Sequence, residues 1–289
     1  MVRLAILLTC FNRKTKTLKA LAKVKEAQKN TKEKIALKIF LTDDGSSDGT
    51  SEAVKKEFPY VTILQGDGDL FWAGGMRMAW KYAANEPFDA YLLLNDDTDI
   101  FGTLFDSFLQ THQYSKTKFG QGGIYIGATQ NPQTKKMTYG GATITNRFLF
   151  KYTHLIPNDS YQSCHLGNAN IMFVSNNVVD KIGILSEQYI HGVADYDYTL
   201  RAYKNKLPVL LMPGYLGNCI NDHRDIYASF ADKSIAQRWK LLKSPIGLDF
   251  KSNLNFNMAH FPLRVPMVLF SAGLKLIFPK LYISLSNAR

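Results

Sequence analysis

The sequence predicts an α/β fold built on a single doubly wound mixed sheet with helices on both faces. Three observations lead there. Short apolar runs alternate with segments of helical period through the first hundred residues. The polar clusters CFNR, DDGSSD and NDDTD each follow the end of an apolar run, and doubly wound sheets gather their ligands at the carboxyl ends of their strands. Finally, 289 residues with 46% hydrophobic and 20% charged side chains can bury a substantial core, as one large domain or two small ones.

The elements follow in chain order. Residues 4–9 read as a first buried strand. Residues 15–29 carry Leu18, Leu21 and Ala22 at helical spacing with lysines between them, a helix. Residues 36–42 form a second strand that ends in the acidic turn DDGSSDGT, whose Asp/Ser/Thr cluster starts a helix over 51–58 that Pro59 stops. A third strand spans 61–64. After the glycine-rich GDGDLFWAGG come a helix over 76–84 and a strand at 90–94. This is the βαβ rhythm of the expected sheet. Farther on, residues 122–128 and 137–145 read as strands joined by the NPQTKK turn. A strand at 170–174 leads through Ser175 into a short helix ending near Gly183, a helix covers 194–205, and a strand at 207–212 precedes Pro213. No repeat, low-complexity segment or strong linker divides the chain. The expectation is one domain over 1–248, in halves 1–100 and 101–248, with an appendage over 249–289.

Composition narrows the partners. Cys10, Cys164 and Cys219 are far apart and form no CxxC pair, which supports neither a zinc site nor a disulfide framework and fits a reducing cytoplasm. The opening MVRLAILLTCFNR turns polar too soon for a secretory signal. No run approaches the roughly 20 apolar residues of a membrane span. Lysine and arginine exceed aspartate and glutamate by 11, which favours anionic partners. Nucleic acid is not expected, because no RNP-like, KH-like or zinc-finger motif occurs.

Two motifs carry chemistry. NDDTD (95–99) places adjacent carboxylates directly after the strand AYLLL. Such a cluster costs stability unless cations or hydrogen-bond donors compensate it, and hard oxygen ligands of this kind suit Mg2+ or Mn2+ bridged to substrate phosphates. In DDGSSDGT, a carboxylate on a rigid turn can accept the imide N–H of a uracil or thymine ring. The same residues also make a plain turn with a helix cap.

TCFNR (9–13), LTDDGSSDGT (41–50), LLLNDDTDI (92–100) and VADYDYTLRA (193–202) stand in an order and spacing that resembles family 2 glycosyltransferases of the GT-A fold, over roughly residues 3–225. KIGILSEQYI (181–190) is similar to the family segment ahead of its acceptor-side motif, and GDLFWAGGMRMAW to a subgroup rich in bacterial polysaccharide enzymes, rhamnosyltransferases among them. The resemblance implies a nucleotide-binding first half and an acceptor-binding second half. Thr9, Phe11 and Arg13 then lie around the nucleotide, and Asp44 contacts the base. Asn95, Asp96 and Asp97 match the DxD-type triplet, with Asp97 the metal ligand and Asp96 near the ribose or diphosphate; Asn95 departs from members with aspartate there. Asp195 matches the catalytic aspartate and Asp197 an acidic position near the acceptor, while Ala194 replaces a frequent glutamate. His223, in NDHRD, matches a histidine near the metal. Trp72, Gly74, Gly75 and Arg77 sit on the donor side, the glycines letting backbone approach and Arg77 meeting phosphate.

The reaction so implied is inverting sugar transfer from a UDP- or dTDP-linked donor to a saccharide or lipid-linked saccharide, with Mn2+ or Mg2+ as cofactor and Asp195 as base. Two rivals are a nucleotidyltransferase, whose glycine- and lysine-rich phosphate signature TCFNRKT lacks, and a non-catalytic nucleotide-sugar-binding protein of the same fold. Residues 261–285 are apolar and basic, with Pro262, Pro266 and Pro279 breaking any long helix. This predicts a segment lying on an anionic membrane surface, at the inner face of the cell membrane, rather than a span.

Overall fold

The computed structural model describes residues 1–221 and 230–287. Its first half alternates β1 (Val2–Cys10), α1 (Lys14–Asn30), β2 (Ile35–Asp43), α2 (Thr50–Glu57), β3 (Thr62–Gln65), α3 (Phe71–Ala83), β4 (Ala90–Leu94), the short β5 (Asp99–Ile100) and α4 (Leu104–Phe119). β6 (Ile124–Gln130), β7 (Met137–Tyr139), β8 (Gly141–Asn146), β9 (Lys151–His154), β10 (Gln162–Ser163), β11 (Leu166–Gly167) and β12 (Ile171–Ser175) follow. The chain then forms α5 (Asn176–Ile182), α6 (Ala194–Lys204) and β13 (Val209–Asn218). Beyond these lie α7 (Ile235–Lys243), α8 (Phe250–His260), α9 (Val265–Ile277) and α10 (Pro279–Asn287).

Ten strands make one sheet, with the path β10-β13-β6-β12-β4-β1-β2-β3, β5 joining β13 and β7 joining β6. β1 pairs in parallel with both β2 and β4, and β12 inserts antiparallel between β4 and β6. The sheet is therefore mixed. Leu4 to Leu8 of β1 are all buried, as a central parallel strand covered on both faces requires. Alternate residues serve opposite layers: Leu4, Ile6 and Leu8 pack with α1 and α4, Ala5 and Leu7 with α3 and α6. α1 commits one stripe to this core, Thr17, Ala20, Leu21, Val24 and Ala27.

Register decides where the polar turns go. Cys10 pairs with Asp43 and Leu7 with Leu93, so β1, β2 and β4 end on the same edge of the sheet. The clusters CFNR, DDGSSD and NDDTD converge there.

Several boundaries differ from the sequence expectation. Beside the central mixed sheet, β11, β8 and β9 form a separate three-stranded sheet. The expected strand over 137–145 breaks at Gly140, because β7 stays with β6 while β8 joins the small sheet. The strand expected to stop before Pro213 continues to Asn218, passing the proline through register shifts between Leu211 and Tyr215. The helix expected from 76 begins at Phe71, so Trp72, Gly74 and Gly75 lie within it, together with Arg77. The segment after 248 packs on the rest of the chain. Phe256 and Phe261 join Tyr189, Ala194 and Leu200 in a third core cluster. Among the described residues, no helix is long and apolar enough to cross a membrane.

Candidate active site

The turn after β1 and the turn after β2 interlock. Asn12, at a left-handed φ of 51°, accepts the Ser47 amide at 2.8 Å, and its own amide donates to Ser46 Oγ at 2.8 Å. Asp48 accepts the Lys14 amide at 2.9 Å, satisfying one of the free amides that begin α1. Phe11 is exposed beside this joint.

Asp44 is 3% exposed. One of its oxygens accepts the amides of Gly68 and Leu70 at 2.9 and 3.3 Å, the other that of Phe71 at 2.9 Å. Three of the roughly four acceptor positions of the carboxylate thus hold the 66–71 turn and the start of α3. This explains the early helix. Gly75 packs against Thr9, where an added Cβ would lie 2.1 Å from Oγ1, and its carbonyl accepts a hydrogen bond from Thr42 Oγ1 at 2.9 Å. Arg77 donates to the carbonyls of Ser186 and Tyr189 at 2.9 and 2.6 Å. Its guanidinium therefore anchors the loop that leads to α6. Trp72 Nε1 donates to Asn95 Oδ1 at 2.8 Å, which ties α3 to the acidic triplet.

After β4, Asp96 is 4% exposed and accepts from Arg13 Nη1 at 3.0 Å and Thr17 Oγ1 at 3.2 Å. Burial pushes its carboxyl up to about 6; Arg13 opposes that shift, and the neighbouring Asp97 adds to it. The same Arg13 nitrogen reaches Asp97 at 2.8 Å. Asp97 also faces a pocket of about 340 Å³ with Lys16, Lys19, Asp96, Asp99, Asn218 and Cys219.

Asn218 lies at the end of β13, paired with Asp99, and its Oδ1 is buried with no hydrogen-bond partner among the described residues. A divalent cation fits this donor set. Mg2+ and Mn2+ take one or two carboxylates and complete their shell with water and phosphate oxygens, and Asp97 with the Asn218 amide oxygen offers hard ligands of that type. His223 lies outside the described residues. No group of three His, Cys, Asp or Glu placed to hold a metal occurs among the described residues.

Asp195 opens α6. Its Oδ2 accepts the Ala169 amide at 3.3 Å and Asn168 Nδ2 at 3.5 Å, and its Oδ1 accepts the Tyr196 amide at 2.8 Å. Burial raises its pKa above the ordinary carboxylate range against these three donors. The next residue of the same loop, Asn170, accepts the Asn95 amide through its carbonyl at 3.2 Å. Three consecutive residues, 168–170, thus grip both Asp195 and the acidic triplet. Sequence reading passed over this NAN segment and over Asn218; their one signal is a polar residue at a strand end.

Asp197 is placed otherwise. It is 3% exposed, and Tyr189, Arg201 and His260 reach its oxygens at 3.1, 2.8 and 2.7 Å. Burial would raise its pKa, but the His260 hydrogen bond and the Arg201 charge outweigh that and hold it low. In this structure it joins α6 to α8. Val193, just before α6, is a β-branched residue at φ 56°, a costly conformation of the sort found beside functional groups.

The described geometry has known counterparts. The model of the family "Glycosyl transferase family 2" matches residues 5–155, which contain every donor-side motif named above. The chain is similar in structure to a mannosyltransferase, PcManGT from Pyrobaculum calidifontis, in complex with GDP-Man and Mn2+; the TM-score is 0.55 at 12% identity, covering 99% of this chain and 79% of that one. It is also similar to S. aureus TarS 1-349 in complex with UDP-GlcNAc, with a TM-score of 0.55 at 12% identity over 90% of this chain and 73% of the other. At these identities the likeness is one of fold, GT-A. No curated protein matches the chain in sequence.

Proposed function

The chain belongs to glycosyl transferase family 2, and from that membership we propose that it transfers a sugar, with inversion, from a UDP- or dTDP-linked donor to an acceptor hydroxyl. The observation that carries this reading is the grip of residues 168–170 on Asp195 and the Asn95–Asp97 turn together. It supports a reading in which Asp195 as base acts next to a diphosphate bound at the acidic turn. The nucleotide sugars held by the neighbours, GDP-Man and UDP-GlcNAc, support a nucleoside diphosphate sugar as the donor class.

In this reading Phe11 and the interlocked turns receive the nucleoside. Arg13, Lys16 and Lys19 supply positive charge to the diphosphate, and Asp97 with Asn218 and His223 would hold Mn2+ or Mg2+. A bound divalent ion would supply Lewis-acid stabilisation of the departing nucleoside diphosphate. Asp195 takes the proton from the acceptor hydroxyl as that oxygen attacks the anomeric carbon. One displacement breaks the sugar–phosphate bond as the new C–O bond forms, so the anomeric configuration inverts. Asp44 acts here as the brace of the 66–71 turn, with one acceptor position left for a base imide. Asp197 positions α6. The resemblance of GDLFWAGGMRMAW to polysaccharide enzymes supports a hexosyl or rhamnosyl donor and an acceptor in bacterial surface-polysaccharide assembly.

The test is a thermal-shift panel of UDP-, dTDP- and GDP-sugars with Mn2+, since a ligand of the folded state raises the midpoint by mass action. A shift with a UDP- or dTDP-sugar, followed by transfer to a saccharide, is expected. A panel without any shift would overturn the reading.

A further inference from the structure

The last helices carry a strong local surplus of positive charge. Residues 233–289 hold nine Lys or Arg against the single Asp249, and none of the following residues is acidic. The same stretch carries an apolar face that nothing within the described chain covers. In α9, Pro266, Phe270, Gly273 and Ile277 recur at i, i+4, i+7 and i+11, one stripe of a helix. Phe270 is 68% and Ile277 62% exposed, and α9 buries only Ala272. Phe278 and Leu281, which follow α9, are exposed as well, and Trp239 of α7 is exposed with the Lys243 ammonium 4.6 Å from its ring centre. The stripe itself bears no charge; Lys275 points to the opposite side of α9 and lies over the Tyr282 ring.

We propose that α7, α9 and α10 form a seat for an anionic lipid bilayer, with Phe270, Ile277 and Leu281 entering the acyl boundary and Lys240, Lys243 and Lys280 meeting headgroups. The charge distribution selects this occupant. An uncharged apolar stripe rimmed by cations is the pattern of an interfacial helix, and each Lys or Arg near an anionic leaflet adds to binding. A second copy of the chain would bring the same positive rim against itself. Nucleic acid would leave the stripe uncovered.

The seat is also firmly mounted. α8 lies between α7 and α9 in the chain, and His260 at the end of α8 bonds Asp197, two residues from Asp195, while Asn255 Nδ2 donates to Gln188 O at 3.3 Å and Asp249 accepts the Gly192 amide at 3.2 Å. These contacts join the seat to α6, so a bilayer held there bears on the helix that carries Asp195, the base of the proposed reaction. Only this last point rests on the function proposed above.

Co-sedimentation of the full chain with phosphatidylcholine vesicles, alone or containing phosphatidylglycerol, tests the seat. The protein is expected to pellet with the anionic vesicles and not with the neutral ones. Phe270→Asp combined with Ile277→Asp should lower the partition coefficient at least about tenfold, as should Lys243→Glu combined with Lys280→Glu. All four side chains are surface groups, and an unchanged thermal midpoint confirms the fold. Donor binding by the same preparations should be unaffected, which separates this outcome from failure of the transferase reading. No binding to either vesicle, equal binding to both, or binding that survives both double substitutions overturns the proposal. So does a concentration-dependent dimer that Phe270→Asp with Ile277→Asp dissolves, which assigns the face to a second copy.

Discussion

Asp195 combines two properties that a general base at neutral pH needs: burial lifts its pKa, and its oxygens are held by donors that fix their direction. Asp195→Asn keeps the shape but accepts no proton, so transfer should fall by about 10²-fold or more with donor affinity nearly unchanged; transfer near the wild-type rate would remove Asp195 from the role. The raised pKa also fixes the sign of the pH profile. The base works deprotonated, so kcat/KM should decline on the acid side from a pH above the ordinary carboxylate value near 4. The residual activity of the Asn variant should lack that limb. At the other carboxylate, Asp97→Ala should abolish divalent-dependent turnover, and equal activity in excess EDTA would sink the metal reading. Asn218→Ala should weaken Mn2+ binding at least about tenfold, read from free Mn2+ by electron paramagnetic resonance. An unchanged affinity would return Asn218 to the role of a pocket wall.

At the scale of elements, α3 is the strap between the two halves of the site. Its first turn hangs on Asp44, Trp72 reaches Asn95, the Ala73 amide donates to Ile190 O at 3.0 Å, and Arg77 holds the 186–189 carbonyls. Close approach of α3 to β1 depends on Gly75. Gly75→Ala forces a Cβ onto Thr9 and should cost about 1–3 kcal/mol, read as a lowered thermal midpoint. Gly74→Ala, whose Cβ would stand 3.2 Å from Leu70 Cβ, should cost less. If Gly75 instead served donor approach, the variant would lose donor affinity without losing stability. This strap also marks the limit of legibility. β1, β2 and β4 could be read from apolar runs because a doubly covered parallel strand must be apolar along its length, and the polar turns at their ends followed. The start of α3 could not, because glycines at 74 and 75 argue locally against a helix and the compensating Asp44 lies far away in sequence. Likewise Asp195 stands out in its motif, but the backbone of 168–170 that positions it has no side-chain pattern to betray it.

The whole molecule is tied together through its carboxyl-terminal region more tightly than composition implies. Asp197 is buried among Tyr189, Arg201 and His260, and Phe256 and Phe261 complete the cluster that contains Ala194 and Leu200. Arg264 adds a hydrogen bond to Asn257 Oδ1 at 2.8 Å and stacks over the Phe150 ring at 5.2 Å. A cut after Leu248 therefore removes half of an internal interface. It takes the His260 hydrogen bond from a buried carboxylate that keeps Tyr189 and Arg201, a loss of about 1.5–3 kcal/mol for a hydrogen bond to a charged group, and it strips two aromatic side chains from the third core. A cut after Arg264 removes α9 and α10 but leaves that interface intact. The chain ending at Arg264 should accordingly keep a cooperative thermal transition and wild-type donor binding while losing its affinity for anionic vesicles. The chain ending at Leu248 should show a much lower midpoint or no cooperative transition, and with it no transfer. Differential scanning calorimetry of the two truncations beside the full chain reads the difference directly. Equal midpoints for both would mean that α8 is dispensable and that the His260–Asp197 contact contributes nothing to holding Asp195 in place.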